Sequence, residues 1–421
     1  MKKFFLTFIG IIIFIGIINS CQKKEEPAAP PNVQKTVYAI LTAEANLKLT
    51  QTAVANLWTP TITLTPTITN TPTQITFIKI SGGGLHSLAI SSDGNLWAAG
   101  YNEYGQLGLG DKTDRLYWTK TSQSNIIYIS SGFWHSFAIK NNGNLLVTGR
   151  NNSGQLGLGY ISSYRSSWGQ TTISNVSAVA SNFDHSLALK NDGTLWVTGN
   201  NNYGQLGLGN NNNTTIWTQV MSLSDIIAIA VGPDYSLALK NDGTLWVTGR
   251  NNLGQLGLGD TTDRTSWEQV TSIANIIAIA AGGSHSLAIT NNGDLFVTGF
   301  NNFGQLGLNN NNQVLVWTKV TTLSNIVAIA AGNYHSLALK NDGTLYVAGY
   351  NYNGQLGLGD TNDKLSWTSS LSNVSAIAAG FWHSLAIRND GTLWVTGMNN
   401  NGALGLGDTN EVLSWTQFIE P

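Results

Sequence analysis

Six histidines recur along the chain at near-constant spacing, each followed by a serine: His86, His135, His185, His285, His335 and His383. Tyr235 fills the one gap, so the seven positions lie 49, 50, 50, 50, 50 and 48 residues apart. Six imidazoles invite a metal or a catalytic reading. The regularity argues against both, because equivalent positions on a repeating frame do not converge, whereas a metal gathers its ligands within ~2.0–2.2 Å. The spacing predicts a structural imidazole that satisfies backbone groups. Asp111 with Asp114, Asp260 with Asp263 and Asp360 with Asp363 form D-x-x-D pairs that could interest calcium. Tyr160, Asn210 and Asn309 are taken as the matching residues elsewhere, and no bidentate glutamate follows at a set spacing, so turn capping is the expected role. The recurring G-Q-L-G-L-G has the look of a phosphate cradle, but lacks the helix start and lysine that such a loop needs. Its glycines are expected as turn formers. No histidine or carboxylate breaks the repeat in the way a catalytic site requires, so neither catalysis nor a cofactor is expected.

Two further ladders run in phase with the first. One is the first glycine of G-Q-L-G, from Gly105 to Gly354, with Gly402 opening G-A-L-G at the end. The other is Trp118, Trp168, Trp217, Trp267, Trp317, Trp367 and Trp415, expected as wedges buried between units. The unit through His285 reads as four strands. Ile276–Ala281 is a short apolar run, His285–Thr290 the second strand, and Asn291-Asn292-Gly293 a hairpin turn. Leu295–Thr298 is the third strand, and after the long glycine loop Trp317–Val320 is the fourth. Four antiparallel strands per unit, repeated seven times, predict an all-β, seven-bladed propeller over residues 75–421.

The recurring A-G-x-x-H-S-L-A-I, D-G-x-L-W-x-x-G and N-x-x-G-Q-L-G-L-G resemble the regulator of chromosome condensation repeat. The departures are Tyr235 for histidine, Asn182 for glycine and Ala403 for glutamine. The resemblance implies the same seven-bladed fold and a partner surface on the loop before the histidine. It also brings functions to weigh: family members include a guanine-nucleotide exchange factor, and one bacterial protein of this fold inhibits β-lactamases. Exchange in the family resides in an inserted hairpin, for which steps of 48 to 50 residues leave no room.

Strand alternation assigns the faces. The loop before His-Ser and the glycine loop lie at one end, the top, and the Asp-Gly hairpin at the bottom. Variation among otherwise alike units concentrates at the top. The two residues before the histidine or tyrosine are Gly84-Leu85, Phe133-Trp134, Phe183-Asp184, Pro233-Asp234, Gly283-Ser284, Asn333-Tyr334 and Phe381-Trp382. The residue after the third strand's glycine varies too, with Arg150 in the second unit and Arg250 in the fourth. Aromatic rings at loop tips have no obvious core duty, and binding hot spots favour them. The candidate binding face is therefore Leu85, Phe133, Trp134, Phe183, Asp184, Asp234, Tyr334, Phe381 and Trp382, with Arg150 and Arg250. A protein or peptide partner is the first expectation. A glycan on the aromatic face, or inhibition of an extracytoplasmic enzyme, are the alternatives.

Composition bounds the partner. Of 421 residues 42% are hydrophobic but only 10% charged, with a formal net charge of -2, which excludes a basic nucleic-acid binder. The single cysteine, Cys21, allows no intrachain disulfide and no cysteine-built zinc site. It closes a leader: Met1-Lys2-Lys3, an apolar run from Phe4 to Ile18, then Asn19-Ser20-Cys21. The run is shorter than the ~20 residues of a spanning helix and fits a secretory signal. Its end looks like a bacterial lipobox, in which cleavage precedes a lipidated cysteine; an uncleaved anchor is the alternative. Residues 1–20 are thus expected as a lipoprotein signal and 21–74 as a tether, with a short helical pattern over 37–57 and then a Thr/Pro-rich spacer. Either reading puts the propeller outside the cytoplasm on a cell membrane.

Overall fold

Each apolar run bounded by a glycine or asparagine turn becomes a strand in the computed structural model, which describes residues 75–420. The leader, the tether and the helical pattern over 37–57 lie outside the described residues. Twenty-eight strands form seven four-stranded sheets, each ordered first to fourth along the chain. Blades 1 to 7 span residues 77–120, 126–170, 176–219, 226–270, 276–319, 326–371 and 374–417, and no helix occurs among the described residues. In blade 5 the strands are Ile276–Ala281, His285–Thr290, Leu295–Gly299 and Val314–Lys319. The fourth starts earlier than Trp317, because the third strand's terminal Gly299 pairs with Val314 across an irregularity in the ladder. The bottom hairpin also differs in detail. Only Gly293 takes a positive φ, 75°, in a turn closed by its N–H on the Thr290 carbonyl.

The core is shared rather than owned. Seven apolar clusters each join two neighbouring blades, as where Leu287, Ile289, Leu295 and Val297 of blade 5 meet Ile326, Ala338 and Trp367 of blade 6. Each such side chain contributes ~1.5–3 kcal/mol by burial, and removing one blade would expose its partner's half of the cluster. The tryptophan ladder fills these seams. The glycine loop of one blade reaches over the next, and a Cβ on Gly108 would lie 2.2 Å from the Trp168 indole nitrogen. That approach, at φ +68°, is why the loop needs glycine there. Closure repeats the same contact: Trp118 of blade 1 donates its indole N–H to the Leu404 carbonyl of blade 7 at 3.1 Å. Phe77 packs against Phe418 with centroids 6.1 Å apart, and its N–H donates to the Gly391 carbonyl at 3.0 Å. Among the described residues, no strand is exchanged between the first and last blades.

The histidine ladder forms a belt around the ring. Nε2 of each imidazole meets the serine hydroxyl of the following blade: His86 to Ser136 at 2.8 Å, His285 to Ser336 at 2.8 Å, and His383 to Ser87 at 2.8 Å across the closure. For all but His86, the serine that meets the imidazole in turn donates to a carbonyl of the preceding blade's glycine loop, as Ser336 does to Gln305 at 2.7 Å. A hydroxyl that gives its proton to a carbonyl can only accept from the imidazole. The protonated nitrogen is therefore Nε2, and Nδ1 is left bare. Nδ1 has no partner in His86, His135, His185, His285 and His335. The partner is thus a side-chain hydroxyl, where backbone groups were expected, and the backbone is reached one bond further on.

Burial penalises the charged imidazole and leaves a second proton no acceptor. The pKa falls from 6.5 to about 3 for these five histidines, and to about 4 for His383. The unfolded chain then takes up more protons than the folded one once pH drops below ~6.5. Stability from the belt is complete above that pH and is lost as pH falls toward the folded-state values. Each histidine adds a slope of up to ~1.4 kcal/mol per pH unit. Tyr235 fills the same slot without titrating there: its hydroxyl donates to the His285 carbonyl at 2.5 Å and lies 3.2 Å from the Ser286 hydroxyl, whose proton goes to the Gln255 carbonyl at 2.8 Å. We predict that His285→Tyr folds normally at pH 8. Its urea-derived stability should decline less steeply between pH 6 and 4.5, by about one proton's slope. Parallel curves for variant and parent would show that His285 titrates normally in the fold.

Candidate binding face

The top face is built by three short segments of each blade: the pair before the histidine, the residue after the third strand's glycine, and the residue before G-Q-L-G. The first two columns were visible in the sequence. The third was missed, although it varies just as freely: Tyr104, Ser153, Tyr203, Leu253, Phe303, Asn353 and Asn401. These segments interlock, because the residue after the glycine hydrogen-bonds the pair. The Arg150 N–H donates to the Trp134 carbonyl at 2.9 Å, and that of Tyr350 to Tyr334 at 2.9 Å.

The side chains so delivered divide the face in two. An unbroken arc of rings runs from blade 5 through blades 6 and 7 to blade 2, and ends on Tyr104 of blade 1. Phe300 touches Tyr334 at 5.8 Å, Tyr334 touches Trp382 at 5.8 Å, and Trp382 touches Phe381 at 6.2 Å. Phe381 meets Phe133 at 4.5 Å, Phe133 meets Trp134 at 4.3 Å, and Trp134 meets Tyr104 at 6.1 Å. The sector from the edge of blade 2 over blades 3 and 4 carries ion pairs: Arg250 to Asp234 at 3.2 Å and Arg150 of blade 2 to Asp184 of blade 3 at 3.7 Å. Burial raises both carboxyl pKa values above the usual range, and the facing arginines oppose the shift. Each arginine also lies over a ring, Arg150 over Trp134 at 4.6 Å and Arg250 over Tyr203 at 4.7 Å.

All eleven candidate residues are only partly covered, none fully exposed. The loop-tip rings therefore have a packing duty that the repeat pattern does not reveal: they cover one another. Phe133, Phe183 and Phe381 form a mutual triad, the last two 5.1 Å apart. Phe381 lines the central cavity, whose other walls are glycine, alanine, serine, valine and Asn182. The triad reaches across blade 1, where Gly84 leaves room; a Cβ there would lie 2.7 Å from the Phe133 ring. Leu85 stands beside it. The cavity is about 110 Å³, well short of the ~300–1,000 Å³ of small-molecule sites. The face is a surface with relief, suited to a macromolecule.

The aspartate pairs are caps, as expected. Asp263 accepts the Asn251 N–H at 2.7 Å, while Asp260 accepts the Thr262 N–H at 2.9 Å and is paired with Arg264 at 2.7 Å. Asn310, rather than Asn309, stands where Asp260 does, since Asn301 Nδ2 reaches its carbonyl at 2.9 Å. Asn309 takes the preceding glycine's place, at φ 61°.

This geometry can be set beside known proteins. The model of the Regulator of chromosome condensation (RCC1) repeat matches residues 93–139, 192–239, 242–289, 292–339 and 342–387. A second model of the same description matches all seven units, from 77–106 to 374–403. The chain belongs to the RCC1 repeat family. Among solved structures, yeast RCC1 (Prp20) bound to Kap60 is 22% identical, with a TM-score of 0.71 over 78% of this chain and 84% of that one. Human WBSCR16 is 24% identical, with a TM-score of 0.67 over 74% of this chain and 86% of that one. Prp20p from Saccharomyces cerevisiae, whose structure was described with its binding to Gsp1p and histones, is 23% identical with a TM-score of 0.67, covering 75% and 84%. At such identities the RCC1-repeat likeness speaks for the fold. No curated protein matches the chain.

Within the RCC1-repeat frame, rings of the triad should be separable from rings at the rim. Phe133→Ala is expected to cost about 2–3 kcal/mol in urea unfolding. Tyr352→Ala, at 67% exposure, should stay within about 0.5 kcal/mol. Equal costs would mean that the triad does not pack as described.

Proposed function

We propose that the chain is an exported, lipid-anchored propeller that binds a protein or peptide partner on its top face and performs no catalysis. The observation that carries this reading is the unbroken arc of half-covered rings beside two ion-paired arginines. Aromatic residues and arginine are the side chains most enriched at protein hot spots. The repeat frame does not demand them there, since Gly283-Ser284 and Pro233-Asp234 serve at the same positions. Relatives support a binding role of this kind: yeast RCC1 (Prp20) was solved bound to Kap60, and Prp20p was described with its binding to Gsp1p and histones. Nucleotide exchange is not part of the proposal, because the even repeat spacing offers no inserted hairpin. Export and anchoring rest on the charged start, the apolar run and Cys21.

The binding face and the anchor can be tested separately. Trp134→Ala with Trp382→Ala should retain the fold, at a stability cost of about 1–3 kcal/mol for the ring packing removed. It should weaken a pulled-down protein partner by about 2 kcal/mol or more per hot spot. Full-strength binding by the folded double variant would move the site off this face. A folded variant that loses only glycan-array signals would favour the glycan reading. For the anchor, Cys21→Ser should abolish incorporation of labelled fatty acid and shift the protein out of the membrane fraction. Unchanged size and fractionation would favour an uncleaved helix.

A further inference from the structure

We propose that the tyrosine pair of blade 6, Tyr350 and Tyr352, with the carboxylates of Asp363 and Glu411 beside it, binds an arginine side chain of the partner protein. The proposal rests on the top face being the binding face and names the chemistry that one sector of it reads.

The protein already builds the arrangement twice with an arginine of its own. Arg250 lies over the Tyr203 ring at 4.7 Å and reaches Asp234 at 3.2 Å. Arg150 lies over the Trp134 ring at 4.6 Å and faces Asp184 at 3.7 Å. In each, a planar cation is held between an aromatic face and a carboxylate, and both attract it. Both arginines follow the glycine that ends the third strand. In blade 6 that position holds Tyr350. Its ring stacks on Tyr352 with centroids 6.3 Å apart and meets Trp382 at 5.9 Å. Tyr352 is the most exposed aromatic ring among the described residues. The carboxylates are tied to the same short segment. Asp363 accepts the N–H of Asn351, the residue between the two tyrosines, at 2.8 Å. Glu411 accepts from Nδ2 of Asn353, the residue after them, at 2.7 Å. Asp363 and Glu411 are both exposed.

Rings and carboxylates here have no cation of their own. Among the described residues no lysine or arginine lies over Tyr350, Tyr352 or Trp382. None pairs with Asp363 or Glu411 either. Lys364 follows Asp363 in sequence but is paired with Asp360 at 3.0 Å. The Tyr350 phenol is held above its usual range by burial first, and then by the nearby charges of Asp363 and Glu411. Burial also raises the Asp363 carboxyl, against the Asn351 N–H and the charge of Lys364. A cation docked on the rings would stabilise both carboxylates. A sugar or a neutral amide could lie on the rings but would leave the two charges without a partner, and an acidic segment would be repelled by them. Arginine suits the site better than lysine, because a flat guanidinium can stack on a ring and donate to a carboxylate at once, as Arg250 does.

The test compares immobilised decapeptides of alternating Arg and Gly with the same peptides carrying citrulline, the uncharged isostere, for Arg, both probed with the full chain. The arginine peptides should bind at least ~10-fold more tightly. Asp363→Asn with Glu411→Gln should erase that preference and leave the unfolding midpoint unchanged, because sister blades already hold those residues there. Asn213 and Gln313 stand four residues before their ladder tryptophans, as Asp363 and Glu411 do, and Asn213 accepts the Asn201 N–H at 2.7 Å. Tyr352→Ala should reduce the preference several-fold. Asp192→Asn with Asp242→Asn removes the same charge from the bottom hairpins, where Asn142 and Asn292 serve in blades 2 and 5, and should leave the preference intact. Equal binding of the two peptide sets, a preference that survives Asp363→Asn with Glu411→Gln, or one that falls as far in the hairpin variant would overturn the proposal. If the Trp134/Trp382 double variant loses its partner while Asp363→Asn with Glu411→Gln keeps it, the face stands and only the arginine site falls. If both keep it, both readings fall.

Discussion

The hydrogen bond from a neutral imidazole to the next blade's serine is what turns seven sheets into one ring. In a four-stranded blade the first strand pairs only with the second, and its other edge has no strand partner. Something must fix its height and rotation against the next blade. The His–Ser–carbonyl relay does so with three groups that are all buried and all used, and it runs in one direction around the ring. Direction matters, since a serine that already donates to a carbonyl can take only a donating imidazole. The relay therefore sets the tautomer, and the tautomer with burial sets the low pKa. Blade 4 shows the tolerance of the device. Tyr235 meets the same demand with a longer side chain that reaches the carbonyls of Gly282 and His285 directly.

Because this belt and the tryptophan seams hold the blades, the top loops are free to differ. Their freedom is partial. Gln155 serves the belt through its backbone carbonyl and sends its amide to Asp184 of the next blade, so fold and face share a residue. Gln205 turns its amide to Asn200 of its own blade, while Gln106, Gln305 and Gln355, each followed by a blade with a ring before its histidine, leave theirs without a partner. Rings at the loop tips in turn pack on each other, and one of them, Phe381, lines the central cavity. The face is thus a second, smaller core that stops short of being covered, with a charged sector beside it.

The repeat made most of the fold legible. Three ladders in phase gave the blade count, the strand order and the buried tryptophans, because periodic sameness reports what every blade needs. Strand ends were less legible: the Gly299–Val314 pairing depends on an irregularity that apolar patterning does not register. On the face, sequence could name the variable pairs and the two arginines, since they stand out against constant neighbours. It could not tell that Phe133, Phe183 and Phe381 converge, because they come from blades 2, 3 and 7 and meet only once the ring is closed. Nor could it tell that three glutamine amides are orphaned, since a column that holds glutamine in six of seven units looks structural throughout. The column before G-Q-L-G was the available signal, and its variability marks Tyr104 and Phe303 as members of the face.

The belt can be observed directly by ¹⁵N spectroscopy of the imidazole rings between pH 8 and 4.5. All six histidines lie in the propeller, so six ring systems report on it. The account predicts that every one is neutral at pH 8, that the five whose serine donates to a carbonyl are protonated at Nε2 with Nδ1 bare, and that none titrates near pH 6.5; only His383, with its pKa of about 4, begins to shift by pH 4.5. A ring that titrates near pH 6.5, or one of those five protonated at Nδ1, would contradict the relay on which the closed propeller depends.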